Sequence, residues 1–482
     1  MAKTDYDAVV IGSGPNGFAA AITLQQQGLS VLLIEGKDQI GGGLRSAELT
    51  LPGFVHDICS AIHPMANSSP FFKTLPLQQY GLDFVYPEIN AAHPFDDGTA
   101  AVLTGNVEQT AALLGKDEQA YLGIMKSFVN DWPKLAPDVL SPQLKIPAHP
   151  FALARFGLKG ISSALSTAGK FQTAAAKGLW AGMAAHSMLP LSNMMTTAIG
   201  MVLLACGHVG NWPMAKGGSQ QIANALAAHF MALGGQIQTG LFISSMQQLP
   251  SARAVIFDLT PKQLLAIKDT DFSPAYRRKL ESYRYGMGVF KIDWALADAI
   301  PFTTTVARKA GTVHLGNTIE EIAHSEKSAA SGIVCDKPFV LLAQQSLADP
   351  SRAPQGKHTA WAYCHVPHGN TQDMTNSIEQ QIERFAPGFR ERILGKHTFN
   401  TTQMEAYNPN YVGGDINGGM LDLRQLFTRP VLSQSPYRTD VKGVYLCSSS
   451  TPPGGGVHGM CGYHAARHAL KDIFNLKATP LT

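Results

Sequence analysis

An α/β chain with a parallel sheet, a second mixed sheet and a helical cap is predicted by three observations. A strand, a glycine turn and a helix follow one another at the N-terminus, and the same succession closes the chain at its C-terminus. Between them lie strand-like runs that alternate in hydropathy, interrupted by one long apolar stretch of helical spacing.

Ala8-Val9-Val10-Ile11 has the unbroken apolar character of a parallel strand buried on both faces. Gly12-Ser13-Gly14-Pro15-Asn16-Gly17 follows, and then an alanine-rich helix from Phe18 to Gln27 that stops at Gly28. In such a turn Gly12 permits the tight bend, Gly14 lets the backbone approach a pyrophosphate and Gly17 lets the helix pack on the strand, while the helix N-terminus faces the phosphates. A second strand, Ser30 to Ile34, ends at Glu35, where a carboxylate can accept hydrogen bonds from ribose hydroxyls. With strand, helix and acid in place, the glycines read as a Rossmann-type dinucleotide fingerprint.

The stretch Glu35-Gly36-Lys37-Asp38-Gln39-Ile40-Gly41-Gly42-Gly43-Leu44-Arg45 resembles the extension by which the glutathione-reductase and amine-oxidase class of flavoproteins marks FAD. That resemblance implies FAD, not NAD, as the tightly held cofactor, with Gly36, Gly42, Gly43, Leu44 and Arg45 along it. At the other end, Val444 to Cys447 reads as a buried strand, and Ser448 to Arg467 runs through three glycines into a helix. Under a flavin ring, the free N–H groups of such a helix start would stabilise the charge that develops at N1 and C2=O on reduction.

These ends, with Trp212-Pro213-Met214-Ala215-Lys216-Gly217-Gly218-Ser219 and the segment from Asn408-Pro409 through Gly413-Gly414-Asp415-Ile416 to Gly419, resemble the phytoene (carotenoid) desaturase family of FAD-dependent oxidoreductases over nearly the whole chain. The last family motif resembles G-x-x-T-x-P-G-x-G. Here Ser448 replaces its first glycine, Pro452 stands where a His is common and His458 where a Pro is common. The resemblance implies Ser448, Ser449, Gly456, Val457, His458 and Met460 at the flavin, and Ile243 at the position whose backbone touches the adenine.

Gly217 to Gly235 reads as a helix leading to a strand over Ile237 to Ile243, and Ala254 to Asp258 returns as a sheet strand. The FAD domain is therefore expected to be discontinuous, from residues 1–70, 210–270 and 430–482. Alternating runs such as Gly286 to Ala295 and Thr359 to Val366 assign 71–110 and 271–429 to a mixed-sheet substrate domain. Residues 111–209 are left as a helical cap. Between Asp138 and Asp258 there is no Asp or Glu, whereas Lys145, Arg155, Lys159, Lys170, Lys177, Lys216 and Arg253 fall inside. Leu158, Ile161, Leu165, Phe171, Ala175 and Leu179 recur near helical spacing, which predicts amphipathic helices with a basic outer face. Such a surface is either a cap packed on the substrate sheet, a weak membrane dock, or a homo-oligomer interface.

Charged residues make up only 15% of the 482, and 38 Lys and Arg against 35 Asp and Glu leave +3, which gives no electrostatic bias toward nucleic acid. Six cysteines with no C-x-x-C spacing argue against a disulfide scaffold, a zinc site and a dithiol redox centre, and suit a reducing compartment; no metal is expected. A strand begins by Ala8, too early for a signal peptide, and no apolar run reaches membrane-spanning length. The expected location is the cytoplasm, peripheral to a membrane.

Flavin accepts hydride at N5, so the protein needs to position a C–H bond and exclude water, which accounts for the lack of a visible triad or carboxylate pair. His458, at the loop-to-helix transition, is the leading candidate for a residue that tunes the flavin or handles a proton. His56, Asp57 and His63, in the segment expected to return past the ring, are candidates for its polar wall. His314 is a weaker candidate, and Lys291 and Asp293 share a strand face where an ion pair explains them. The expected function is dehydrogenation or isomerisation of a lipophilic small molecule. The alternatives are a flavin amine oxidase acting on a small amine, and a binding or scaffold protein with a structural flavin.

Overall fold

A computed structural model describes residues 4–142 and 146–481, so Lys145 lies outside the described residues. The principal strands in chain order are β1 (Tyr6–Ile11), β2 (Val31–Ile34), β3 (Ile89–Pro94), β4 (Ala100–Leu103), β5 (Gln236–Gln238), β6 (Ala252–Phe257), β7 (Gly288–Leu296), β8 (Ala310–Leu315), β9 (Val340–Ala343), β10 (His358–Val366), β11 (Ile393–Phe399) and β12 (Val444–Leu446). The helices that build the layers are α1 (Pro15–Gln25), α2 (Glu118–Val139), α3 (Pro150–Gly160), α4 (Ala164–Ala168), α5 (Ala174–Ala185), α6 (Thr196–Gly210), α7 (Gln220–Ala232), α8 (Thr375–Phe385) and α9 (Met460–Ala469).

One sheet has the order β12-β6-β1-β2-β5 and is parallel throughout. Val9 and Ile11 point to one face and Ala8 and Val10 to the other, and both sets are buried, as its apolar runs require. The helices α1, α7 and α9 cover the face of Ala8 and Val10 through Phe18, Ile22, Leu226 and Phe230. The approach of α1 is set by glycine. A Cβ on Gly17 would stand 1.9 Å from the Gly12 carbonyl oxygen, and one on Gly462 of α9 would stand 1.9 Å from the Asn16 carbonyl oxygen. Only glycine lets these backbones touch. The expected strand over Ile237 to Ile243 is shorter than the periodicity suggested: β5 stops at Gln238, because Gly240 takes φ +71 and its N–H turns back to the Lys37 carbonyl.

The second sheet has the order β11-β7-β10-β9-β8-β3-β4, antiparallel except where β8 runs alongside β3. Its pleat separates two environments. Phe290, Ile292, Val313, Leu342 and Ala362 pack on the far side with Ile378 and Ile382 of α8. Thr312, His314, Leu341, Trp361, Tyr363 and the Lys291–Asp293 pair occupy the near side, which faces the first sheet and the cap.

Helices α2 to α6 form the cap around Phe128, Trp132, Trp180 and Met201. The predicted basic outer face is corrected for α3. Phe171 and Leu179 are buried, but Leu158 is 81% exposed and Phe151 91%. Arg155 is paired with Asp131 of α2, and Lys159 donates to the carbonyls of Gly123 and Ile124. The cations lean back onto α2 because its backbone and acid supply partners, and the outward surface of α3 is left apolar.

Candidate active site

The glycine turns at the two ends of the chain meet over the carboxyl edge of the parallel sheet, where an open α/β sheet binds its ligands. Gly12 has φ +101, a region closed to most side chains, and turns the chain from β1 into α1. A Cβ on Gly42 would lie 3.1 Å from the Gly14 Cα, so the second glycine stretch is laid directly against the first. Pro15, Asn16, Gly36, Gly43 and Leu44 line the same cavity. The Asn16 Oδ1 beside them is buried without a partner among the described residues. An unpaired polar atom next to close-packed glycine backbone and a helix N-terminus is what a pyrophosphate would satisfy, so these residues fit FAD.

Glu35 ends β2 with its carboxylate facing the turn. Its Oε2 accepts from the Ser13 N–H at 3.1 Å, and its Oε1 accepts from the Lys37 N–H at 2.9 Å and from Arg45 Nη2 at 3.0 Å. Arg45 also donates from Nε to the Gln39 carbonyl at 2.8 Å. Arg45 therefore braces the acid and the second glycine loop while lining the cavity, a job its expected place along the phosphates did not reveal. Ile243 lines the cavity from irregular backbone.

At the C-terminal turn Ser449, Gly456, Val457 and His458 reach the cavity. Ser448 and Met460 stand behind it, where the Ser448 hydroxyl accepts from the Ser450 N–H and the Met460 N–H donates to His458 Nδ1 at 3.0 Å. His458 Nε2 faces the Gly454 carbonyl at 3.2 Å. With Nδ1 accepting, Nε2 must carry the proton, and both nitrogens are spent on the backbone. Burial pushes its pKa down to about 4. The imidazole is neutral and pins the loop that leads into α9.

Of the three candidates for the polar wall, His63 alone lines the cavity, with Nε2 2.8 Å from the Ser219 hydroxyl and a pKa lowered to about 4 by burial. His56 and Asp57 are corrected: the two-residue strand that carries them turns both side chains into protein. His56 binds the Thr50 hydroxyl and faces Asp293. Asp57 accepts from Arg352 Nη2 at 2.8 Å, from the Ser219 N–H and from the Ser46 hydroxyl. Burial raises the Asp57 pKa, but Arg352 and these donors outweigh it and hold the group ionised. Lys291 and Asp293 form a buried ion pair on one face of β7.

Asp258 is the residue that sequence reasoning missed. It follows β6, accepts from the Gly17 N–H at 2.9 Å, and would meet a Cβ on Gly14 at 2.8 Å from Oδ2. Burial pushes its pKa up, the Gly17 N–H works against that and Glu35 adds to it, for a value of about 7. An acid at the carboxyl end of a parallel strand was the one available signal.

From the glycine turns a cavity of about 540 Å³ extends between the near face of the mixed sheet and the cap. Its far arm is lined by Ile62, Phe156, Val202, Trp212, Trp361 and Tyr363, with His186 and Thr312 among them. Every charged residue on the cavity wall, namely Glu35, Lys37, Arg45 and Asp258, lies at the dinucleotide end.

A parallel sheet with paired glycine turns, opening on an apolar arm beside a mixed sheet, has the layout of a dinucleotide-binding enzyme. A family model described as an NAD(P)-binding Rossmann-like domain matches residues 10–75. Rat pyridine nucleotide-disulfide oxidoreductase domain-containing protein 2 is 26% identical over 98% of this chain and 95% of its own. A lycopene-forming phytoene desaturase from a Paracoccus species is 23% identical over 94% of this chain and 95% of its own. Among solved structures, putrescine oxidase bound to putrescine shares the fold at a TM-score of 0.63 and 16% identity, covering 98% of this chain and 99% of that one. Over nearly its whole length the chain is thus similar to these oxidoreductases, and it is an oxidoreductase with an NAD(P)-binding Rossmann-like domain.

Proposed function

We propose that this chain is an FAD-dependent oxidoreductase that dehydrogenates or isomerises a lipophilic small molecule. The observation that carries this reading is the arm of the cavity, which is apolar and aromatic and carries no charged side chain among the described residues. When bound, FAD supplies a hydride acceptor at its N5 position. The chain's own residues do the rest. Gly14, Gly42 and the α1 N-terminus receive the pyrophosphate, and Glu35 faces the ribose. Trp212, Trp361 and Tyr363 wall the arm against water and press a flat or extended apolar chain toward the ring. His63, neutral and tied to Ser219, offers no charge to the reacting carbon.

An amine substrate is disfavoured by the same observation, because an ammonium in this arm would be desolvated without a carboxylate partner. The apolar outer surface of α3, whose inner residues Leu153 and Phe156 line the cavity, supports entry of the substrate from a membrane surface. Among the described residues, no helix is long and apolar enough to cross a membrane. The test is anaerobic addition of lipophilic polyenes, alcohols and amines to the FAD-loaded protein. Bleaching of the flavin by members of the lipophilic set is expected. Bleaching by small amines alone would establish the amine oxidase reading, and none at all would establish a structural flavin.

A further inference from the structure

The arm ends on polar groups that the protein leaves unsatisfied. His186, which caps the C-terminus of α5, lines the cavity and places Nε2 at 3.1 Å from Nε2 of His314 on β8. Trp212 holds the pair from the side, with ring centroids 5.9 Å from His186 and 6.3 Å from His314. His314 is 0% exposed, and its Nδ1 has no hydrogen-bond partner among the described residues. That nitrogen is sealed by α5, since a Cβ on Gly182 would come within 2.6 Å of it. Two residues along the same face of β8 lies Thr312, also on the cavity wall, 4% exposed and with an unpartnered hydroxyl.

One proton lies between the two imidazoles, and its placement decides what the pair offers. Burial pushes the His186 pKa down to about 3 and that of His314 well below its usual value, so both rings are neutral. If His186 donated through Nε2, His314 would carry its proton on the sealed Nδ1, and a buried N–H with no acceptor is rarer than an unpaired acceptor. His314 therefore donates from Nε2, His186 accepts, and the remaining proton of His186 sits on Nδ1, which has no partner among the described residues. Two donors without partners among the described residues, the His186 Nδ1–H and the Thr312 hydroxyl, thus belong to residues of the uncharged wall.

Resting on the proposed lipophilic substrate, we propose that His186 and Thr312 form a recognition site for a single neutral oxygen, so that the substrate is a carbonyl- or hydroxyl-bearing lipophile and not a pure hydrocarbon. A ketone or alcohol oxygen accepts from both donors. A hydrocarbon leaves both unpaired, and an ammonium offers donors to donors. His314 acts as a positioning residue that sets the tautomer of His186.

The test titrates methyl hexyl ketone, octanol, octane and octylamine into FAD-loaded protein, following calorimetry and the flavin difference spectrum. In the wild type, octylamine should bind at least about tenfold more weakly than the ketone. His186→Leu and Thr312→Val should each weaken ketone and octanol binding by about tenfold or more while octane is held as tightly or more tightly. Thr312→Ser should restore ketone binding, and FAD content and melting temperature report whether each variant is folded. An unchanged ratio of ketone to octane affinity in the folded variants overturns the recognition site and leaves the lipophilic reading standing. If octane and the ketone both fail to bind the wild type, the two readings fall together.

Discussion

Asp258 puts a carboxylate beside the place where two phosphates belong, and its raised pKa makes the consequence testable. Unfolded, the group releases its proton in the ordinary carboxylate range. Folded, it holds the proton to about pH 7. The folded state therefore binds more protons between those values, and the stability this group contributes is lost as pH rises through the window. FAD affinity should fall as pH is raised from about 6 to about 8.5, because the ionised carboxylate faces the pyrophosphate. Fluorescence titration of FAD at several pH values reads this. Asp258→Asn keeps an acceptor for the Gly17 N–H and should flatten the curve, and an equally steep curve in that variant would assign the effect elsewhere. His458 leads to a different expectation. With both nitrogens spent on the backbone and the ring neutral, His458→Ala should lower stability by about 1–3 kcal/mol through the lost hydrogen bonds. The pH profile of flavin reduction between about 5.5 and 8.5 should not move. A displaced profile would show that the imidazole exchanges protons during reduction.

At the scale of elements, two features join parts that the chain order keeps apart. Arg352, fully buried, donates to Asp57 at 2.8 Å and Asp349 at 3.0 Å, and its backbone exchanges hydrogen bonds with Val55 and Asp349. It ties the segment returning from the FAD turns to the substrate sheet. Arg352→Met should destabilise the protein by about 3–5 kcal/mol, measured by urea unfolding, since two buried carboxylates lose their counterion. A cost under about 1 kcal/mol would mean that Ser46 and Ser219 suffice to hold Asp57. Helix α3 carries the second feature. Its outward Phe151 and Leu158 are apolar, while Arg155 and Lys159 are engaged with α2. Docking to liposomes should therefore depend on apolar insertion more than on charge. Phe151→Ser with Leu158→Ser should reduce cosedimentation several-fold, and reversal of Arg155 and Lys159 to Glu should reduce it less. The opposite ranking would restore an electrostatic dock.

At the scale of the molecule, the dinucleotide cradle is assembled from residues near 12–17, 35–45, 243, 258 and 449–458, so cofactor binding draws on distant parts of the chain together. A ligand bound only by the folded state stabilises it by mass action, about 2.7 kcal/mol at a hundredfold excess over Kd. The FAD-loaded protein should melt several degrees above the apo form in one transition. Gly14→Val should be purified colourless and show no rise on adding FAD, because its side chain meets Asp258 and fills the pyrophosphate cradle. A Gly14→Val protein that kept a full complement of FAD would place the pyrophosphate elsewhere.

The order of amino acids is enough to specify the parallel sheet, the glycine turns and Glu35, because strand period, glycine spacing and a helix start are local properties that need no partner to be read. It also placed Lys291 and Asp293 on one strand face, since the pleat alternates strictly. Which polar residues face the cavity depends instead on long-range packing. His56, Asp57 and His63 lie within eight residues, yet His63 alone reaches the cavity, because a short strand pairing turns the first two toward Asp293 and Arg352. Asp258 gave only its place at the end of a strand as a signal and His186 and Thr312 gave none, being brought to the site by β6, α5 and β8 from separate parts of the chain. The outer surface of α3 was misread for the same reason: helical spacing tells which residues share a face, but only the packing of α2 decides which face its cations turn toward.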